Sequence, residues 1–161
     1  MGRKATKASG NIFYEAREEA MKKNDAFSSR ERAASIIGID RTRLARIELS
    51  EVLPYQEEVK LIARAYDRPE LCNQYCTTLC PLGSMTTKKV RMDNLDRLIL
   101  NILGSLKDVS EIKDSLIDIS ADGLVDKSER QEFMRILEIL SEISDLTNSL
   151  ELWARKNLDQ E

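Results

Sequence analysis

Apolar residues in the first half of the chain recur every three or four positions, which places them along one side of a helix. Ile12, Phe13, Ala16, Ala20 and Met21 mark a first helix from Asn11 to about Lys23, behind Ser9-Gly10 as a natural start. Ala33, Ala34 and Ile37 mark a short second helix over Arg30 to Ile37, with Ser28-Ser29 as its N-cap and Gly38 as its stop. Asp40 caps a third helix in which Leu44 and Ile47 share one side, while Arg41, Arg43 and Arg46 occupy the others. Pro54 opens a fourth helix at its first turn, with Val59, Ile62, Ala63 and Tyr66 inward, and Arg68-Pro69 interrupts it. A fifth helix runs from Glu70 to about Cys80 and ends at Pro81-Leu82-Gly83.

Ser84 to Lys89 reads as an exposed linker, and beyond it the pattern changes. Met92, Leu95, Ile99, Ile102, Leu106, Val109 and Ile112 form the seam of one long amphipathic helix. After Asp122-Gly123 a second long helix begins near Asp126, with Phe133, Ile136, Leu140, Ile143, Leu150 and Trp153 on its seam. The two make an αα-hairpin. Sustained alternation of apolar and polar residues is absent, so the expected fold is all-α: a five-helix domain at 11–83, a linker at 84–89 and a helical hairpin at 90–161. Residues 1–10 read as a flexible basic tail, either a plain terminus or an arm for a polyanion through Arg3, Lys4 and Lys7.

The hairpin carries more apolar surface than one seam needs, because Leu98 and Leu103 flank the Ile99–Ile102 stripe, and Leu137 and Ile139 flank Ile136 and Leu140. Pairing two hairpins across a symmetry axis would cover the surplus, so residues 90–161 are expected to make a homodimer. Packing on the first domain, near Leu79 and Leu82, is the monomeric alternative.

Composition narrows the function. With 42% apolar and 33% charged residues the chain is globular, and its apolar runs fall far short of a bilayer span. No apolar segment follows the basic amino terminus, so no signal peptide or membrane partner is expected, and the expected location is cytoplasmic. Histidine is absent, which removes Ser-His and Cys-His catalysis; an enzyme is not expected. The net charge of -3 hides an asymmetry: residues 1–46 hold eleven Lys/Arg against six Asp/Glu, and residues 71–161 hold eleven against sixteen. A polyanion would meet the basic end first.

The segment from Ser29 to Glu48 resembles the lambda-repressor-like, XRE-type helix-turn-helix family. Ala34 stands where two helices approach, Gly38 where the chain turns, Ile39 as the plug of the turn, and Leu44 and Ile47 as anchors of the second helix. The likeness extends over about residues 11–71, since Val59, Ala63 and Ala65 match the family's next helix. Two departures stand out: Ser50 replaces the usual glycine, and the loop from Asn24 to Ser28 is longer than typical.

The resemblance implies a DNA-binding transcriptional regulator, with repression the expected direction and double-stranded DNA the partner. It makes the helix beginning at Arg41 the one that enters the major groove, with Arg41, Thr42 and Arg46 facing base edges. Arg30 and Arg43 are then candidates for phosphate contact. Glu48 corresponds to an acidic residue that pairs with an arginine of the first helix, for which Arg17 is available. A protein-interaction adaptor or antirepressor, acting through the acidic, apolar hairpin, is the competing class.

Two further patterns bear on cofactors, of which none is expected. Cys72, Cys76 and Cys80 repeat every four residues, a spacing compatible with core packing, a shared metal or a redox sensor. Asp118 to Glu129 has the spacing of a calcium-binding EF-hand loop, but Gly123 also serves as a helix stop, and Asp126 with Glu129 as a capping box.

Overall fold

The structure, a computed structural model, describes residues 8–90, 93–120 and 124–158, and all regular structure among them is helical. The chain divides into two compact units that meet between Lys89 and Val90. The first contains α1 (Ile12–Lys23), a 3-10 turn (Asp25–Ser28), α2 (Arg30–Ile37), α3 (Arg41–Glu48), α4 (Gln56–Ala65), α5 (Glu70–Thr78) and α6 (Gly83–Thr86). The second contains α7 (Leu95–Ser120) and α8 (Arg130–Asn157).

Local chemistry sets most helix ends. Asn11 starts α1 by accepting from the amides of Phe13 and Tyr14 at 2.9 and 3.0 Å. Its Nδ2 donates to the Ile47 carbonyl at 2.8 Å, tying the start of α1 to the end of α3. Gly38, at φ 84°, ends α2 in the left-handed conformation that side chains disfavour. Ser50 adopts the same region, φ 58°, so the residue replacing the expected glycine takes a glycine's backbone. It is held there by its N–H on the Ile47 carbonyl and by Asn11, which donates to its hydroxyl.

Four expectations are corrected. Residues 8–10 are not tail, because Ala8 is buried and its carbonyl accepts from Asn11 N–H; residues 1–7 lie outside the described residues. The loop before Ser29 is partly helical, with Asn24 capping the 3-10 turn through Ala26 N–H. Pro54 precedes α4 rather than opening it, since Glu58 accepts from Tyr55 N–H at 2.7 Å and starts the helix at Gln56. The expected linker begins with α6, seated so closely on α5 that a Cβ at Gly83 would come within 2.5 Å of the Cys76 carbonyl oxygen.

Phe13, Leu44, Ile47, Ile62 and Leu71 fill the first core, each worth about 1.5–3 kcal/mol when removed from water. Inside it lies a carboxylate. Glu48 is fully buried and accepts from Arg17 Nε at 2.7 Å, Arg17 NH2 at 3.2 Å and Arg30 Nε at 2.6 Å. Arg17 NH1 donates in turn to the Phe27 carbonyl at 3.1 Å, so four successive elements meet at one charge. Burial lowers the pKa of the Arg17 guanidinium, but the hydrogen bond and charge of Glu48 outweigh it and leave it raised. Burial and the same Glu48 charge push the neighbouring Tyr66 phenol well above its usual range.

In the second unit α7 and α8 pack on one another. The seam of α7 differs in part from the expected one: Ile112 is buried as expected, but Leu98, Ser105 and Ile119 are buried with it, whereas Ile99 and Leu106 are exposed. Those four repeat every seven residues, and Leu95, Ile102, Val109 and Leu116 follow the same period at half-buried positions. On α8 Ile136 is buried as expected, Phe133, Ile143, Leu150 and Trp153 are half-buried, and Leu140 is exposed. Met92 lies outside the described residues.

Replacing Glu48 by Gln removes the carboxylate that holds Arg30 and leaves Arg17 only the more distant Glu18, at 3.7 Å. The first unit is expected to lose about 3–5 kcal/mol of stability, read by denaturant unfolding.

Candidate nucleic-acid interface

The helix carrying most of the candidate residues, α3, is fixed on one side and open on the other. Leu44, Ile47 and Glu48 are buried beneath it. Asp40 caps it by accepting from Arg43 N–H at 2.9 Å, and no acidic residue lies in its first turn. The Asp40 carboxylate thus offsets the positive end of the helix dipole, and the positive charge α3 offers an anion is that of its exposed Arg41 and Arg46.

Arg41, Thr42 and Arg46 project from the open side, and all three are exposed. Arg46 lies 3.7 Å from Glu51, with both side chains about half exposed, a pairing too weak to hold it against a stronger anion. The side chains of Arg41 and Thr42 make no hydrogen bond or ion pair among the described residues.

Arg30 and Arg43, in contrast, have partners within the protein. Glu48 engages the Nε of Arg30, whose side chain remains 29% exposed at the first position of α2. Arg43 is held more completely. Its Nε and NH2 donate to the two oxygens of Glu58 at 2.9 and 2.8 Å, and NH2 also donates to the Leu53 carbonyl at 3.1 Å. The Tyr55 ring covers the guanidinium at 4.8 Å. The hydrogen bond from Arg43 holds the Glu58 carboxyl below its ordinary range.

The sequence reading missed Tyr55 and Glu58. Tyr55 makes no side-chain cap, so only Glu58 reaching back to the Tyr55 amide marks the helix start, and the fifteen-residue separation between Arg43 and Glu58 carries no periodic signal. Arg17 meets Glu48 as the resemblance implied.

Cys72, Cys76 and Cys80 pack against the first core, and Cys80 Sγ accepts from Gly83 N–H at 3.4 Å. No group of three metal-ligating side chains is assembled among the described residues. Within the EF-hand-like segment, Asp126 accepts from the amides of Ser128 and Glu129, while Glu129 accepts from Asp126 N–H at 3.0 Å. Those bonds are a capping box just before α8. Ala121, Asp122 and Gly123 lie outside the described residues.

Because the folded Glu58 pKa is depressed, its contribution to stability is complete above the ordinary glutamate value and is lost as the pH falls through the folded one. Melting curves of the full chain should thus show Glu58→Gln less stable at neutral pH, with the gap from wild type closing below about pH 4. A gap independent of pH would contradict the ionic character of the contact. The chain matches no protein-family model, no curated protein and no solved structure.

Proposed function

We propose that the protein is a sequence-specific DNA-binding transcriptional regulator, probing the major groove with α3 and acting as a repressor. The observation that carries this reading is the division of α3 into a buried face of Leu44, Ile47 and Glu48 and an open face of Arg41, Thr42 and Arg46. In this reading α2, the turn at Gly38 and α3 are the helix-turn-helix of a lambda-repressor-like, XRE-type domain built from α1 to α5. The eight residues of α3 span about 12 Å, comparable to the width of the major groove. Arg41 and Arg46 would donate paired hydrogen bonds to guanine, and Thr42 would bond a base edge or touch a thymine methyl. Arg30 keeps its terminal amino groups for a phosphate, since Glu48 takes only its Nε–H.

Residues 90–161 serve in this proposal as an αα-hairpin that pairs two copies. Supporting it, α7 leaves Ile99, Leu100, Leu103 and Leu106 exposed and α8 leaves Met134, Leu137 and Leu140 exposed, although each helix already buries a seam. Removing such surface from water stabilises association by about 25 cal/mol per Å². A symmetric dimer would present two copies of α3 to DNA half-sites about one helical turn apart. The same exposed side chains favour the second reading, in which the hairpin binds another protein and the chain is an adaptor or antirepressor. No described helix is long and apolar enough to cross a membrane.

Selection from random duplexes should enrich one sequence, with affinity falling steeply as salt rises. Arg46→Ala is expected to weaken that binding by about 1–3 kcal/mol and to relax one base position. Failure of the wild-type protein to enrich any sequence would reject direct reading and favour the adaptor. Light scattering of the full chain at micromolar concentration should give a dimer, and Leu100→Glu combined with Leu103→Glu a monomer; a wild-type monomer would reject the pairing.

A further inference from the structure

The clamp around Arg43 assigns that residue a different task from the other arginines of α3. We propose that Arg43 is a positioning residue which, with Glu58 and Tyr55, sets the orientation of α3 and thereby determines sequence discrimination without contacting DNA. The inference rests on the DNA-reading role proposed for α3 and deepens it.

Three observations converge. The guanidinium spends one edge on both oxygens of Glu58, the geometry in which an arginine–carboxylate pair is strongest and most directional. It also bonds the Leu53 carbonyl in the segment between α3 and α4, so the first turn of α3 is joined both to that segment and to the start of α4. Tyr55 lies over the guanidinium, and Glu58 accepts from the Tyr55 amide, which closes the unit on itself. Arg43 and Glu58 are both largely shielded, at 23% and 14% side-chain exposure, unlike Arg46 and Glu51.

The consequence is geometric. Leu44, Ile47 and Glu48 hold one side of α3 in the core, while Arg41 and Thr42 lie in its first turn, beyond the last of these anchors. A helix held along one side can still roll about that contact, and paired hydrogen bonds to a base tolerate little displacement. The clamp supplies the second fixed point. Lysine could not replace Arg43, because an ammonium cannot bond both carboxylate oxygens in the same plane or stack as a guanidinium does. A phosphate contact would accept lysine.

The test measures affinity of the full-length protein for its selected duplex and for a random duplex, across a salt series, in Arg43→Lys and Glu58→Gln. Positioning predicts that both variants lower the ratio of specific to random binding by about tenfold, while random binding and its salt slope stay near wild type. If Arg43 contacts phosphate instead, Arg43→Lys keeps the ratio and Glu58→Gln strengthens binding to both duplexes; that pair of results overturns the proposal. A DNA-free arm keeps the clamp separable from the function. The amides of Arg43 and Leu44, both bonded to Asp40, should exchange about tenfold faster in Glu58→Gln, while amides in the middle of α1 stay unchanged. Unchanged exchange at Arg43 and Leu44 overturns the clamp, whether or not the wild-type protein selects a DNA sequence.

Discussion

A carboxylate removed from water must be matched by donors, and the first unit is organised around that requirement at Glu48. Its oxygens accept from Arg17 on α1 and Arg30 on α2, while Arg17 reaches on to the carbonyl of Phe27 in the 3-10 turn. An apolar core alone would tolerate several rotations of α3 about its axis, because Leu44 and Ile47 can be buried in more than one way. A buried charge tolerates one, since any other leaves it or an arginine unpaired. The ion pair thus contributes specificity of arrangement where leucine and isoleucine contribute most of the apolar burial.

Much of this unit was legible because its signals are local. Helix bounds at Lys23 and Ile37 followed from spacing, caps and Gly38, and the residues expected inside α4 are inside. The partnership of Arg17 with Glu48 crosses thirty-one positions and came only with the family resemblance. Nothing comparable pointed to Arg43 with Glu58: the resemblance made Arg43 a candidate for phosphate contact, and no pattern singled out Glu58. Ser50 is a milder case: a departure from glycine in the sequence, yet the same backbone region in the fold, secured by a hydrogen bond from Asn11.

The seam of α7 was misplaced in part, for a different reason. Both candidate seams of α7 are rich in leucine and isoleucine, so counting apolar positions could not separate them. Ser105, polar in sequence, is buried in the helix contact, and it made the true seam look interrupted. Ser149 is its counterpart on α8, where it satisfies its hydroxyl on the Asp145 carbonyl at 2.7 Å. Small side chains in such places let helices approach closely, and their polarity misleads a reading based on hydrophobicity alone.

The two faces of α3 also bear on how such a protein can change over generations. Leu44, Ile47, Glu48 and Arg43 are committed to neighbours, and altering any of them disturbs the fold. Arg41, Thr42 and Arg46 contribute nothing to the core, so they are free to vary at little cost in stability. About two turns of helix thus interleave positions under opposite structural constraints. A lineage can change the chemistry of the outer face through single substitutions, each retaining a folded protein, without rebuilding the support beneath it.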